Sequence, residues 1–377
     1  MKRVALVQIG IGTVGGEVVE QILANRALWR RTLRLDLRVA AVAGRDGAVA
    51  EEPSEELPEG RLREAVSGRR GRVPAERVAG LREAAAGRSL IPPAEAIARL
   101  VGEGPTVVLD AAAGDETAPV LARALASGAG VVLSNKAPLA LPLANPIAAE
   151  LWAAAGPRGH LRYEATCGAG LPVISTLRTL LETGDAVVEI QGALSGTLGA
   201  IFGDLAAGLP FSAAVRSARE RGYTEPDPRD DLSGLDVARK ALILARTMGC
   251  PVDLAGVAVE GLVPEGLAGV SVEEFLARAS EADAAIADRV AAANANGNAL
   301  KYVATVPAAG PISVGPREAP RTGVLGALQG PENVVAFRTR RYDAYPLTVA
   351  GPGAGAAVTA AGMLGDALDL GALLASR

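Results

Sequence analysis

Apolar runs and amphipathic stretches alternate along the first 165 residues of the chain. Residues 3–9 form a short apolar run, typical of a strand buried on both faces. After a glycine-rich turn, Val14, Val18 and Ile22 recur every four residues, which predicts a helix. Similar patterns predict strands at 35–43, 106–110, 130–133 and 161–165, and helices over 117–127 and 145–155. This alternation predicts an α/β domain with a parallel sheet and helical crossovers.

The rest of the chain shows a different order of elements. Helical patterns cover 172–183, 198–207, 212–221, 234–248, a long stretch at 271–295, and 355–374. Strand patterns lie at 187–194, 300–306, 333–339 and 346–350. The mixture predicts an α+β second domain, with the last helix returning to the first. The region 46–95, rich in Glu, Arg, Ala, Gly and Pro, is expected to form short surface helices and loops.

Composition narrows the classes of protein to consider. The chain has 377 residues, of which 49% are apolar and 21% charged, so it is globular. A net charge of −4, without a basic tract, argues against nucleic acid as a partner. The only cysteines, Cys167 and Cys250, argue for a reducing, cytoplasmic setting. No apolar segment reaches the ~20 residues of a membrane helix, so no membrane association is expected.

The turn after the first strand carries a dinucleotide-binding motif. Gly10, Gly12 and Gly15 form a G-x-G-x-x-G between a predicted strand and a predicted helix. The first glycine permits the tight turn, the second a close approach of the pyrophosphate, and the third close packing of helix and strand. Thr13 and Val14 lie between the second and third glycines, and they begin the helix whose N-terminus would bind the phosphates. We therefore expect a nicotinamide dinucleotide here.

The second predicted strand ends near residues that bear on the choice between NAD and NADP. An NAD site usually has an acidic residue there, and an NADP site an arginine. Arg45 and Asp46 both stand at this point, and either could be a solvated loop charge. Arg45 favours NADP, and NAD stays open.

Lysines are scarce in this arginine-rich chain and therefore informative. Lys136 follows the strand 130–133, at the edge of the sheet where such folds bind ligands. Lys240 and Asp236 are one turn apart on a predicted helix, which could also be an ordinary exposed ion pair worth about 0.3–0.5 kcal/mol. Asp236 could equally form a capping box with Ser233.

Histidine and cysteine chemistry is not expected. The single histidine, His160, stands at the entry of a predicted strand, where a structural role is common. Cys167 lies among glycines without a nearby base, and Cys250 precedes Pro251, so both are expected to be small apolar fillers.

Six ordered segments resemble one enzyme family, homoserine dehydrogenase, over nearly the whole chain. The most specific is GYTEPDPRDDLSGLDVARKALILAR at 222–246, because so many polar residues in fixed order have no packing rationale. The others are GIGTVG at 10–15, SNKAPLA at 134–140, YEATCGAGLPVI at 163–174, GALSGTLGAIF at 192–202 and GPGAGAAVTAAGMLGDAL at 351–368. The resemblance is to a short form, so no appended kinase or regulatory domain is expected.

The resemblance implies the reversible conversion of aspartate semialdehyde to homoserine with NADP or NAD, in threonine and methionine biosynthesis. Glu225, Asp231 and Asp236 would form an acidic pocket for the substrate amino group. Lys240 and Lys136 would flank the reacting carbon, with Lys240 the more direct participant in proton transfer.

The resemblance implies further contacts and an assembly. Ser134 and Lys136, with Gly355 in the returning segment, would contact the cofactor. Domain boundaries are expected to give a dinucleotide-binding domain at 1–155, completed by 351–377, and a substrate-binding and dimerisation domain at 156–350. A homodimer would form through the second domain's sheet.

The loop after residue 163 resembles the family's structural site for a monovalent cation, either sodium or potassium. Glu164 would provide a carboxylate, and Cys167, Ala169 and Leu171 backbone carbonyls. Cys167 stands where the family usually has valine, a change that a backbone ligand tolerates.

Two other functions share features of this sequence. An acylating dehydrogenase acting on the same semialdehyde would need a nucleophilic cysteine with a base, and neither is evident. A nucleotide sensor could keep the dinucleotide fold without catalysis, but the presence of both Lys136 and Lys240 argues against it.

Overall fold

A computed structural model describes residues 1–51, 55–67, 85, 89–157 and 159–376. The chain forms two compact units. Unit 1 comprises Met1–Gly170 and Gly355–Arg377, and unit 2 comprises Leu171–Ala354. The sequence analysis placed the boundaries after residue 155 and before residue 351. In the structure, residues 156–170 belong to unit 1 and residues 351–354 to unit 2.

Unit 1 is built on a six-stranded sheet in the order β3-β2-β1-β4-β5-β6. Its strands are β1 (Lys2–Ile9), β2 (Leu35–Gly44), β3 (Gly47–Ala50), β4 (Thr106–Asp110), β5 (Gly130–Leu133) and β6 (Leu161–Arg162). All neighbours pair in parallel except β3, which pairs antiparallel with β2. The parallel α/β sheet is confirmed, with a buried apolar core typical of strands covered on both faces.

Two details of this sheet differ from the expectation. Residues 47–50 form an edge strand where only surface helices and loops were expected, because the β2 chain turns back at Gly44 and Gly47. Strand β6 ends at Arg162, and Glu164–Thr166 turn into a short 3-10 helix. Part of the region 46–95 lies outside the described residues.

Most helices of unit 1 lie where they were predicted, and the exception is the helix Pro93–Val101, which the sequence analysis did not predict. The helices of this unit are α1 (Thr13–Thr32), α2 (Glu59–Ser67), α3 (Pro93–Val101), α4 (Ala118–Ala126), α5 (Pro146–Ala154) and the C-terminal helix α13 (Ala356–Leu374).

The C-terminal helix α13 returns to unit 1, as expected. Its Met363, Leu364 and Leu370 share one buried core with Val4 of β1 and Leu37 of β2. By length and composition alone, α13 could cross a membrane. Its buried apolar face accounts for this composition, since a core helix needs the same residues.

Unit 2 holds a second six-stranded sheet, in the order β12-β11-β7-β9-β10-β8. Its strands are β7 (Val187–Ala193), β8 (Val257–Val259), β9 (Asn298–Pro307), β10 (Ile312–Pro320), β11 (Glu332–Thr339) and β12 (Leu347–Pro352). Pairing is antiparallel except between β8 and β10. Strands β8 and β10 were not predicted; β8 has only three residues, and β10 contains Gly315 and two prolines.

Seven described helices accompany this sheet. They are α6 (Val173–Glu182), α7 (Gly196–Ala206), α8 (Phe211–Glu220), α9 (Pro228–Leu232), α10 (Leu235–Thr247), α11 (Val272–Arg278) and α12 (Asp283–Ala295). The prediction of one long helix at 271–295 is wrong, because a 3-10 turn at Ala279–Ala282 separates α11 from α12. There the Asp283 carboxylate accepts hydrogen bonds from the Ser212 backbone N–H (2.7 Å) and hydroxyl (2.9 Å), which ties α12 to the start of α8.

Replacing either of two glycines of α13 by alanine is expected to change the stability of the protein in opposite directions. A Cβ at Gly362 would lie 2.6 Å from the Ala169 carbonyl oxygen, whereas a Cβ at Gly365 would meet nothing within 4 Å. We expect Gly362→Ala to destabilise the protein by about 1–3 kcal/mol through overpacking. Gly365→Ala should stabilise it by about 0.5–1 kcal/mol, because alanine loses less backbone entropy in a helix. Chemical denaturation followed by circular dichroism measures both, and equal effects would contradict this packing of α13.

Candidate active site

The glycine turn lies at the carboxyl end of β1 and leads directly into α1. Gly10 has φ +79°, and a Cβ there would lie 2.6 Å from the backbone of Ala111 and Ala112. A Cβ at Gly15 would overlap the Gly10 carbonyl oxygen. Side chains are therefore excluded at both positions, for conformational and packing reasons.

The N-terminus of α1 is open to an anion. Gly12 is the N-cap, no side chain caps the helix, and its first turn contains no acidic residue. Thr13 is exposed, and Val14 packs against the core of unit 1. The positive end of the helix dipole and the first N–H groups are thus presented at the turn.

Beneath the turn lies a residue that the sequence analysis missed. Gln8, fully buried at the end of β1, donates from Nε2 to the Ile9 (2.9 Å) and Gly10 (3.1 Å) carbonyls. These hydrogen bonds fix the entry of the chain into the turn. In the sequence, the only sign of this role was a glutamine inside an otherwise apolar run.

Arg45 and Asp46 occupy the tight turn between β2 and β3, and both are exposed. Since β2 neighbours β1 in the sheet, this turn lies at the same carboxyl edge as the glycine turn. That edge is where the ribose of a bound dinucleotide is recognised in such folds.

A buried carboxylate organises the loops that follow β4 and β5. Asp110 accepts hydrogen bonds from the Ala112 N–H (2.9 Å), the Thr117 hydroxyl (2.7 Å) and Asn135 Nδ2 (3.1 Å). Burial raises the pKa of Asp110, and these donors oppose the shift. The sequence analysis missed Asp110, Thr117 and Asn135; Asn135 is 25 residues from Asp110, and no local pattern links the three side chains.

This network sets the backbone that carries Lys136. Asn135 Oδ1 accepts from the Ala137 N–H (3.1 Å), and Ser134 N–H donates to the Asp110 carbonyl (3.0 Å). The Lys136 carbonyl accepts from the N–H groups of Leu139 and Ala140, which begins a 3-10 turn. The half-buried Lys136 is thus held at the carboxyl edge of the sheet, where the sequence analysis placed it.

The loop predicted to hold a cation rests on α13 within unit 1. The Glu164 N–H donates to Asp366 Oδ2 (2.8 Å), and the Ala169 carbonyl faces Gly362. Gly168 and Ala169 both have positive φ, and Cys167 and Ala169 are buried. Leu171, the fourth predicted ligand, is the first residue of unit 2. Among the described residues, no cluster of three or more His, Cys, Asp or Glu side chains could hold a metal ion.

Unit 2 buries the amine of Lys240. Its Nζ donates to the Leu194 carbonyl (2.6 Å) and pairs with Asp236 Oδ2 at 2.9 Å. The Lys240 side chain is only 11% exposed, against 47% for Asp236, so this is not an ordinary exposed pair. Helix α10 begins at Leu235 with Gly234 as its N-cap and no side-chain cap, so the capping-box interpretation is wrong.

The acidic loop, residues 223–231, precedes α10, includes the start of α9 and is tied to α7. Asp231 Oδ2 accepts from the Glu225 N–H (2.8 Å), and Oδ1 lies 2.9 Å from the Thr197 hydroxyl. That hydroxyl is also 2.6 Å from the Tyr223 carbonyl oxygen. Burial, and then the charges of Asp236 and Asp230, raise the pKa of Asp231, while the hydrogen bonds oppose this. Thr197 was missed by the sequence analysis, and Glu225 is exposed.

The two cysteines are free thiols in different settings. Cys167 is fully buried, and the half-buried Cys250 has its Sγ 3.9 Å from the Ala308 carbonyl oxygen. The Ala308 carbonyl is not a base that could activate the Cys250 thiol.

Comparison with known proteins agrees with these features. The family model for homoserine dehydrogenase matches residues 172–368, and the model for the NAD-binding domain of homoserine dehydrogenase matches residues 10–163. The chain belongs to the homoserine dehydrogenase family.

Relatives of this family include single-function and bifunctional proteins. Homoserine dehydrogenase of Schizosaccharomyces pombe is 38% identical over 71% of this chain and 73% of its own length. A chloroplastic bifunctional aspartokinase/homoserine dehydrogenase of Arabidopsis thaliana is 37% identical over 96% of this chain but only 38% of its own length. The chain therefore spans less than half of the bifunctional relatives it matches.

A solved structure shares the fold of this homoserine dehydrogenase family member. The crystal structure of a putative homoserine dehydrogenase from Archaeoglobus fulgidus matches with a TM-score of 0.73 at 26% identity, covering 98% of this chain and 99% of that one.

The Asp110 network predicts a distinction between two substitutions at Thr117. Thr117→Val removes the hydroxyl that donates to Asp110, and we expect a loss of about 1–3 kcal/mol of stability from the buried carboxylate. Thr117→Ser keeps the donor and should retain most of the stability. Urea denaturation compares the two; a serine variant as unstable as the valine variant would mean that the methyl group, not the hydrogen bond, matters.

Proposed function

We propose that this protein is an NAD(P)-dependent homoserine dehydrogenase that interconverts aspartate semialdehyde and homoserine. The observation that carries the proposal is the buried amine of Lys240, held between Asp236 and the Leu194 carbonyl. A lysine is rarely buried unless its charge is compensated, as it is here by Asp236. The family membership supports the same reaction.

The residues of the glycine turn suit a dinucleotide. Gly10 and Gly15 leave no room for side chains, and α1 presents uncapped N–H groups. The pyrophosphate would bind at Gly10–Gly15, through Gly12, Thr13 and Val14, and Ser134, Lys136 and Gly355 would contact the rest of the cofactor. When bound, the nicotinamide supplies hydride to the aldehyde or takes it from the alcohol.

Lys240 is proposed to move the proton that accompanies hydride transfer. In the reducing direction, its ammonium donates a proton to the carbonyl oxygen of the semialdehyde. In the oxidising direction, the neutral amine accepts the proton of the homoserine hydroxyl. Arginine could not do this, because a guanidinium barely deprotonates. Lys136, held by the Asp110 network, is proposed as the second amine of the site.

The substrate amino group is proposed to bind at the acidic residues of unit 2. Homoserine carries an ammonium, and Glu225, Asp231 and Asp236 provide carboxylates on the loop and helix that lead to Lys240.

We also propose a structural monovalent cation. Glu164, Cys167, Ala169 and Leu171 would provide its oxygen ligands, since hard cations prefer oxygen. The buried Ala169 carbonyl, on a residue with φ +56°, fits such a role. A higher melting temperature in sodium or potassium than in choline would support the site.

A homodimer is proposed through the sheet of unit 2. Gln191, Thr305 and Ser313 lie side by side on neighbouring strands of one face, and all three are partly exposed. A polar row of this kind can pair with a second copy, and sedimentation velocity tests it.

The two free thiols support a cytoplasmic location.

Lys240→Ala should lower kcat for homoserine oxidation by about 10²–10⁴-fold, the usual contribution of a general acid or base. Lys2→Ala, at an exposed lysine of β1, is the control and should keep full activity. Steady-state assays without phosphate also separate the alternatives: an acylating enzyme would need phosphate, and a sensor would bind NADPH without turnover. Full turnover by Lys240→Ala would refute its role.

Cofactor preference is predicted from Arg45. Since its exposed guanidinium can pair with a 2′-phosphate, Arg45→Ala should raise KM for NADPH about tenfold and leave KM for NADH unchanged. Arg3→Ala, at an exposed arginine of β1, is the control. If Asp46→Ala instead raises KM for NADH and the enzyme prefers NADH, the preference for NADP is wrong.

A further inference from the structure

We propose that Asp231 is a positioning residue which, together with Thr197, anchors the loop that carries Glu225. The inference rests on the proposed function, in which Glu225 binds the substrate ammonium. It changes the role of Asp231 from a direct ligand to a support for one.

Both carboxylate oxygens of Asp231 are engaged by the protein itself. Oδ2 accepts from the Glu225 N–H at 2.8 Å, so it fixes the backbone of the residue whose side chain would meet the substrate. Oδ1 lies 2.9 Å from the Thr197 hydroxyl, and this carboxylate is half-buried. Hydrogen bonds to a carboxylate are about twice as strong as neutral ones, so this is a firm attachment.

Thr197 holds the same loop at a second point. Its hydroxyl is 2.6 Å from the Tyr223 carbonyl oxygen, two residues before Glu225. Thr197 is on the first turn of α7, a helix whose apolar side is buried. Because the Thr197 hydroxyl has one proton, it donates to either the Tyr223 carbonyl or Asp231 Oδ1 at a time, and either bond attaches the loop to the rigid helix α7.

The far end of the loop is fixed independently. Arg229 pairs with Asp227 at 2.7 Å and donates to the carbonyls of Leu267, Ala268 and Val270. The segment between Tyr223 and Asp227, with Glu225 at its centre, lies between the Thr197–Asp231 anchor and these Arg229 contacts. Loss of the anchor should therefore affect substrate binding more than folding.

The first test compares the parent with two variants of Thr197, in the full chain. Thr197→Val keeps the shape of the side chain and removes the hydroxyl; we expect KM for homoserine to rise about tenfold, with less than a threefold change in kcat. Thr197→Ser keeps the hydroxyl and should restore KM. NADPH affinity, measured by fluorescence titration, should be the same in all three proteins.

A double-mutant cycle tests whether the effect passes through Glu225. Glu225→Gln should itself raise KM, and adding Thr197→Val to it should raise KM little further, because the residue being positioned has already lost its charge. Asp231→Asn is a second probe of the same anchor, should Thr197→Val fold poorly. It should raise KM by the same factor alone and little further when added to Glu225→Gln, whereas a direct substrate ligand would raise KM in both backgrounds.

The outcomes separate the two proposals. If Glu225→Gln leaves KM unchanged, the proposed substrate site is wrong. If Glu225→Gln raises KM but Thr197→Val and Asp231→Asn do not, only the positioning role is overturned. If the effects of Thr197→Val and Glu225→Gln multiply, or if Thr197→Ser is as impaired as Thr197→Val, the anchor does not act through Glu225.

Discussion

The burial of one amine constrains the organisation of unit 2. A lysine removed from water needs a counter-charge and an acceptor, or its burial is strongly unfavourable. Asp236 provides the charge from the same helix, one turn earlier, and the Leu194 carbonyl provides the acceptor. That carbonyl is available because β7 ends at Ala193 and the chain turns into α7.

The junction between β7 and α7 therefore serves several purposes within four residues. Leu194 accepts from Lys240, and Ser195 caps α7 by accepting from the Leu198 N–H at 3.2 Å. Thr197 then reaches the acidic loop. A shift of this junction would displace the amine and the loop together. In unit 1, a buried polar residue likewise holds two loops. Asp110 bonds Ala112 in the loop after β4 and Asn135, which precedes Lys136, in the loop after β5.

Local sequence patterns predicted the helices and strands whose spacing of apolar residues and glycines is regular. The glycine turn, the run 130–133 and the final helix follow from residue spacing alone. The short β8, the glycine- and proline-containing β10 and the break at Ala279–Ala282 depend on tertiary partners, so their own residues gave no clear signal. For the same reason Thr197 and Asn135 were missed. Their carboxylate partners are 34 and 25 residues away in sequence, and a threonine or asparagine is unremarkable until that partner is known.

The C-terminal helix explains how unit 1 can contain so long an insertion. The chain leaves this unit after Gly170 and re-enters it at Gly355. A Cβ at Gly170 would lie 2.5 Å from the Val358 carbonyl oxygen, so the exit and the first turn of α13 lie directly against each other. Because the two ends meet, the insertion imposes little strain on unit 1, as is common for inserted domains. The fit requires glycine at both Gly170 and Gly362, and Asp366 reinforces it through the Glu164 N–H. The glycines of this segment are therefore needed for the closure of unit 1, whatever else the loop between Glu164 and Gly170 binds.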